Sequence, residues 1–217
     1  MKNDSIKVNI LSTKIIANAS DDMLKKFGVT SKYKSLGLIT CDCDDVLYTA
    51  LDEATKDADV EVIYGKSMYA GAGNASTKLA GEVLGIIAGP SPAEIKSGLS
   101  SITNFINSGV SFKSANDDDS VVYYAQCVSR TGSYLSKQAE IKEGESLAYL
   151  VAPPLEAMYG LDAALKAADV KLCVLFEPPT ETNFGGALLT GSQSACKAAC
   201  DAFADAVKQV ADNPFYI

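Results

Sequence analysis

Residues 51–60 read LDEATKDADV and residues 161–170 read LDAALKAADV, so seven of ten positions are identical at an offset of 110. Solenoid repeats recur at much shorter periods, roughly 20 to 50 residues. A match at this long period therefore indicates an internal duplication, with two homologous domains in one chain. We place the first domain at residues 1–112 and the second at residues 113–217.

The two halves carry the same order of predicted elements. In the first half, apolar runs and helix-start signals predict strands and helices at 8–17, 35–40, 46–57, 60–64, 83–89 and 92–107. The second half repeats that order at 121–128, 147–151, 155–167, 170–176, 187–190 and 194–211. These patterns predict an α/β (α+β) fold in which each domain is a mostly antiparallel sheet with helices packed on one face.

The composition excludes several classes of protein. A formal net charge of −8 and a pI near 4.6 repel phosphate backbones, so we expect no nucleic-acid partner and favour small cations as charged ligands. No apolar stretch approaches the roughly 20 residues that span a bilayer, and residues 1–14 lack the apolar core of a secretory signal. We therefore expect a cytoplasmic protein with no membrane partner.

The chain contains no histidine and six cysteines. Without an imidazole, the Ser-His-Asp triad, the Cys-His dyad and most neutral-pH proton shuttles are unavailable, so we expect a protein that is not an enzyme. The cysteine spacing is unlike a paired zinc knuckle, which favours buried thiols over metal ligands. We predict no metal site and no required cofactor.

An acidic run precedes the helix at 46–57 and has two interpretations. Asp44 or Asp45 can accept hydrogen bonds from the free N–H groups at the helix start. Alternatively, three carboxylates at Asp42, Asp44 and Asp45 form a cation-binding lip, because their mutual repulsion requires solvent or a cation. The segment 129–134 could hold an anion, but a plain turn is more typical of it.

Strings throughout the chain resemble a known family. They lie at 35–39, 44–46, 52–56, 62–71, 80–84, 128–135, 151–157 and 189–193. Together they are similar to the tandem-domain shell proteins of the ethanolamine-utilization bacterial microcompartment, over about residues 15–214. The resemblance implies two circularly permuted microcompartment domains per chain and a homotrimer that forms a flat pseudohexamer. Such tiles pack edge to edge with other shell proteins, in a shell within the cytoplasm.

The resemblance also implies two kinds of pore. A small pore in each subunit would bind or pass ethanolamine through Asp44, Asp45, Glu82 and Phe112. A gated central pore would be bordered by two loops that contain Ser67, Tyr69, Gly71, Gly73, Asn183 and Phe184. Cobalamin is a further ligand that the resemblance allows. At the offset of 110 the acidic pair becomes Pro154 and Leu155, so only one copy per chain should offer an acidic lip.

Two other functions stay open from the residues alone. One is a small-molecule-sensing regulatory α/β protein that binds its effector in a cleft between the two domains. The other is an enzyme of unfamiliar mechanism that uses Arg130, Glu82 and tyrosines. The missing histidine disfavours the enzyme.

Overall fold

A computed structural model describes residues 1–29, 32–67, 83–178, 180 and 183–215. The predicted site residues Tyr69, Gly71, Gly73 and Glu82 lie outside these ranges. The chain forms two compact units. The N-terminal unit contains Val8–Val110 and Gly132–Leu135, and the C-terminal unit contains Met1–Lys7, Ser111–Thr131 and Ser136–Ile217.

The N-terminal unit is built on a four-stranded antiparallel sheet with the strand order β1-β2-β4-β3. Its elements in chain order are β1 (Ile10–Ile16), α1 (Asp21–Lys26), β2 (Ser35–Cys41), α2 (Asp44–Asp57), β3 (Glu61–Ser67), β4 (Val83–Gly89) and α3 (Pro92–Asn107). Ser91 begins α3 by accepting a hydrogen bond from the Glu94 N–H, as the Ser-Pro-x-Glu pattern predicts.

The C-terminal unit contains a five-stranded antiparallel sheet with the order β5-β6-β7-β9-β8. The remaining elements of the chain are β5 (Lys113–Ser114), β6 (Val122–Val128), α4 (Ser133–Ala139), β7 (Ser146–Ala152), α5 (Pro154–Ala167), β8 (Val170–Phe176), β9 (Gly185–Gly191) and α6 (Gln193–Asp212). Without the short β5, this sheet has the strand order of the N-terminal sheet. The shared order is what a duplicated chain predicts, and the α/β prediction is confirmed.

Helices cover both faces of the N-terminal sheet, whereas we predicted one. On β2, a Cβ added to Gly37 would lie 2.8 Å from the Ile95 side chain, so this face meets α3. The adjacent residue Leu36 packs with Leu24 of α1 instead. Successive strand residues point to opposite faces, so α1 covers the other side of the sheet. A helix of six residues shows too little apolar periodicity to be predicted.

The first residues of the chain belong to the C-terminal unit. Backbone hydrogen bonds fix them there, from the Asn3 N–H to the Ser114 carbonyl at 2.8 Å and from the Ile6 N–H to the Phe112 carbonyl at 2.9 Å. The compact units therefore differ from halves cut at residue 112. Among the described helices, none combines the length and the apolar character needed to cross a membrane.

Candidate cation-binding site

The acidic pair occupies the first turn of α2. Cys43 is the N-cap residue and makes no side-chain capping bond, whereas Asp44 Oδ1 accepts a hydrogen bond of 2.9 Å from the Asp45 N–H. Both side chains are buried, with Asp44 4% and Asp45 7% exposed. Asp44 thus satisfies one free N–H of the helix start, and the capping interpretation holds in part. It does not account for the burial of two carboxylates.

Asp42 is separate from this pair. Its two carboxylate oxygens accept hydrogen bonds of 2.7 Å from the backbone N–H and the side-chain Nδ2 of Asn9. These bonds lie in an exposed region of the N-terminal unit. Asp42 is therefore hydrogen-bonded to the segment that precedes β1, whereas Asp44 and Asp45 are buried in the first turn of α2.

The Asp44 carboxyl lies between α2 and the end of β3. Burial raises the pKa of Asp44 to about 6, and the Ser67 hydroxyl and the Asp45 N–H, which donate hydrogen bonds to it, offset part of that rise. Among the described residues, no lysine or arginine forms an ion pair with Asp44. A buried carboxyl with these partners is costly to ionise unless a cation compensates it.

Two tyrosines that the sequence does not predict lie near this site: Tyr48 beside Asp44, and Tyr134 beside Tyr48. Tyr48 lies one helical turn from Asp44 on α2, and burial, followed by the nearby Asp44 charge, raises the pKa of its phenol. A Cβ added to Gly65 on β3 would lie 2.7 Å from the Tyr134 hydroxyl and 3.4 Å from the Tyr48 ring. Glycine at position 65 therefore leaves the space that both tyrosines occupy.

Phe112, the aromatic residue predicted for the small pore, lies in the C-terminal unit and is fully buried. Its ring stacks on Tyr124 with centroids 5.3 Å apart, and Phe184 contacts it at 5.9 Å. Tyr124 in turn meets Tyr149 edge to face at 5.6 Å. The structure thus brings together Phe112 and Phe184, which were predicted for different pores.

The predicted central-pore residues Asn183 and Phe184 directly precede β9 and are hydrogen-bonded to Thr180. Asn183 has a φ of 65° and donates its N–H to the Thr180 carbonyl at 3.1 Å, while the Thr180 N–H donates to the Phe184 carbonyl at 3.2 Å. Asparagine adopts this left-handed conformation more readily than most residues. Ser67, from the other predicted loop, is instead the last residue of β3 and bonds Asp44.

The cysteines do not add to this site. All six are free, and four of them are buried. Burial raises the pKa of Cys41 to about 12, so its thiol stays protonated and unreactive at neutral pH. Within the described ranges, no three potential ligands among His, Cys, Asp and Glu lie close enough to hold a metal ion.

Known proteins match both the sequence and the fold of this chain. The BMC domain family matches residues 35–114. Bacterial microcompartment shell protein EutL of Clostridium perfringens is 74% identical over 214 residues, which cover 99% of both chains. The monoclinic crystal structure of EutL from that organism superposes with a TM-score of 0.95 over 99% of this chain and 98% of that one. Ethanolamine utilization protein EutL from Leptotrichia buccalis is 65% identical, with a TM-score of 0.96 and full coverage of both chains.

Fold and relatives together define a bacterial microcompartment shell protein, a class whose role is structural rather than catalytic. The chain belongs to the EutL family of shell proteins of ethanolamine utilization. Its place is therefore the microcompartment shell. The resemblance seen in the sequence is confirmed.

Proposed function

We propose that this shell protein forms homotrimeric, pseudohexameric tiles that pack edge to edge with other shell proteins, and that each subunit binds ethanolamine in a small pore. The buried pair of Asp44 and Asp45 carries the proposal. Ethanolamine is a compact cation at neutral pH, and its ammonium can donate charge-assisted hydrogen bonds to both carboxylates. Binding would then offset the cost of ionising them inside the protein.

The duplication supports one such site per subunit. Helix α5 begins at Pro154, which corresponds to Asp44 of α2 at the offset of 110. Pro154 and Leu155 carry no carboxylate, and Leu155 is 63% exposed. The acid in this first turn, Glu156, corresponds to Val46 rather than to Asp44 or Asp45. A trimer would therefore contain three acidic sites, although its six domains share one fold.

The family resemblance supplies the other parts of the proposal. Glu82 would add a third carboxylate, and Phe112 would pack its ring against the ligand as a cation–π partner. The gated central pore would be bordered by the residues predicted above, Ser67, Tyr69, Gly71, Gly73, Asn183 and Phe184. Cobalamin stays a prediction of the resemblance alone.

Oligomeric state tests the tile proposal directly. We expect light scattering coupled to size-exclusion chromatography to give about three times the chain mass of 22.8 kDa. Closed rotational symmetry, the common form of homo-oligomers, gives the trimer. At higher protein concentration, electron microscopy should show extended sheets with hexagonal spacing, because the pseudohexameric tiles pack edge to edge. A stable monomer or dimer would contradict the proposal.

The raised pKa of Asp44 predicts how stability depends on pH. Because the folded protein holds this proton more tightly than the unfolded chain, the contribution of Asp44 to stability is greatest below its ordinary pKa of 3.8 and is lost as the pH rises through about 6. The full change from this one carboxyl is about 3 kcal/mol. We therefore expect Asp44→Asn to be more stable than the wild type above pH 7 and to lose that pH dependence.

Urea unfolding between pH 4 and pH 8, at one fixed protomer concentration, measures this difference. Other carboxyl groups also titrate in this range, so the informative quantity is the wild type minus the Asp44→Asn variant. Asp42→Asn is the control, and its pH profile should keep the slope due to Asp44. Parallel pH profiles for the wild type and Asp44→Asn would show that ionising Asp44 does not destabilise the folded protein.

A further inference from the structure

The duplicated aspartates Asp52 and Asp162 have different surroundings. Asp162 on α5 is 64% exposed and forms an ion pair of 2.6 Å with Lys166, four residues on. Asp52 on α2 has the equivalent lysine, Lys56, at 3.4 Å, but the Asp52 side chain is fully buried. Asp52 also binds a segment from the second half of the chain, Gly132–Leu135, which belongs to the N-terminal unit. Asp162 has no hydrogen bond of this kind among the described residues.

Asp52 and Thr55 hold this segment by its backbone. The Asp52 carboxylate accepts hydrogen bonds from the Gly132 N–H at 2.7 Å and the Leu135 N–H at 2.8 Å. Thr55 Oγ1 accepts one of 3.0 Å from the Ser133 N–H. A Cβ added to Gly132 would lie 2.2 Å from Thr55 Oγ1 and 2.6 Å from the Asp52 carbonyl, so only glycine allows this approach. We call these contacts the Asp52 clasp.

The clasp fixes the residue it encloses, Tyr134. The Tyr134 hydroxyl lies over Gly65 of β3, at 2.7 Å from the position of an added Cβ. Gly65 and Ser67 share one face of β3 because they are two residues apart, and Ser67 donates to Asp44. Tyr48 lies beside the same glycine. The Tyr134 hydroxyl therefore lies on the face of β3 from which Ser67 bonds Asp44, beside Tyr48.

We propose that Tyr134, positioned by the Asp52 clasp, determines specificity at the acidic site by hydrogen bonding the hydroxyl group of bound ethanolamine. Asp44 and Asp45 bind the ammonium group, and the Tyr134 phenol forms a hydrogen bond with the hydroxyl group at the other end of the ligand. A phenol both donates and accepts hydrogen bonds, so it can bind an alcohol while keeping another contact. This inference rests on the proposed function, since it assumes that an ammonium occupies the site.

Calorimetry with two amines tests the role of Tyr134. Ethylamine carries the same ammonium as ethanolamine but lacks the hydroxyl. We expect the wild type to bind ethanolamine roughly three- to tenfold more tightly than ethylamine, the range of one hydrogen bond. Tyr134→Phe should keep the ethylamine affinity and lose the preference. Tyr159→Phe is the matched control, because its phenol on α5 is half exposed and contacts Gln209.

The outcomes separate this inference from the function on which it rests. If the wild type binds neither amine, the proposed function is overturned, and the inference with it. If the wild type binds both amines equally, or Tyr134→Phe keeps the preference, only the inference is overturned. If Tyr134→Phe weakens both amines alike, or does not fold, Tyr134 is a structural residue and the specificity role is also overturned.

The duplication provides the control for the clasp. Asp52→Asn keeps one acceptor of the two, so we expect a folded protein whose preference for ethanolamine falls at least twofold while ethylamine affinity changes little. Asp162→Asn should leave both affinities unchanged. An equal loss for both amines in Asp52→Asn would mean that Asp52 only stabilises the fold, and would overturn its positioning role.

Discussion

Replacing Asp44 and Asp45 together by asparagine is expected to abolish ethanolamine binding, whereas Asp42→Asn should bind as the wild type does. Both substitutions remove carboxylates from one acidic run of four residues. Only the pair at the start of α2 is buried, while Asp42 is occupied by its two hydrogen bonds to Asn9. The contrast therefore tests position rather than total charge.

The expected size of the effect follows from the burial of the pair. Removing one partner of a buried, hydrogen-bonded charge pair costs about 2 to 5 kcal/mol, which corresponds to a loss of affinity of at least about thirtyfold. Calorimetry of ethanolamine binding at pH 8, where Asp44 of the wild type is ionised, measures this loss of affinity. Light scattering on the same samples shows whether the oligomer is unchanged. Equal affinity in the wild type and the double variant, or an equal loss in Asp42→Asn, would contradict the site.

Function and stability should oppose each other at this position. The Asp44→Asn substitution, which removes one of the two carboxylates of the binding pair, also removes a carboxyl whose ionised form is disfavoured by burial. We therefore expect the binding-deficient variant to unfold at higher urea concentration than the wild type at pH 8. A carboxylate kept in spite of such a cost is typical of a binding site rather than of a structural helix cap.

The sequence predicts those elements whose signals are local. Helix α3 and strands β4 and β8 begin and end where expected, because Ser91 and Pro92 mark a helix start and the strands are mostly apolar runs, interrupted in β8 by Lys171. Helix α2 begins two residues before its predicted start, since Asp44 and Asp45 extend it into the acidic run. Strand β5 has only two residues, and helices α1 and α4 span two turns or fewer, which is too short for a helical apolar period to be recognised.

The candidate site shows the same limit. Asp44 and Asp45 can be identified because three acids within four residues are unusual at a helix start, and Tyr48 follows them by one turn. Tyr134 has no such signal, because its place beside Gly65 and Tyr48 depends on a hydrogen bond between residues 80 positions apart, from Gly132 to Asp52. The segment 129–134 was interpreted as a plain turn, yet its last two residues begin α4.

Asp52→Ala is expected to lower the free energy of unfolding by about 3 to 5 kcal/mol, the cost of breaking a buried charge network. The N–H groups of Gly132 and Leu135 would lose their acceptor in a buried environment, and Lys56, which is almost fully buried, would lose the nearby Asp52 carboxylate. Unsatisfied buried donors are costly because water cannot replace the lost partner.

Asp162→Ala is the matched control, because it changes the same residue at the same position of the repeat. Its exposed ion pair with Lys166 contributes at most about 0.5 kcal/mol, as is usual for i, i+4 pairs on a helix surface. Urea unfolding of both variants at one protomer concentration gives the two losses, and amide exchange at Gly132 and Leu135 locates the change. Losses of similar size would mean that the clasp does not hold the segment. A large loss confined to Asp52→Ala would show that the duplicated helix has acquired different roles, with one copy anchoring the segment that carries Tyr134 and the other copy solvated.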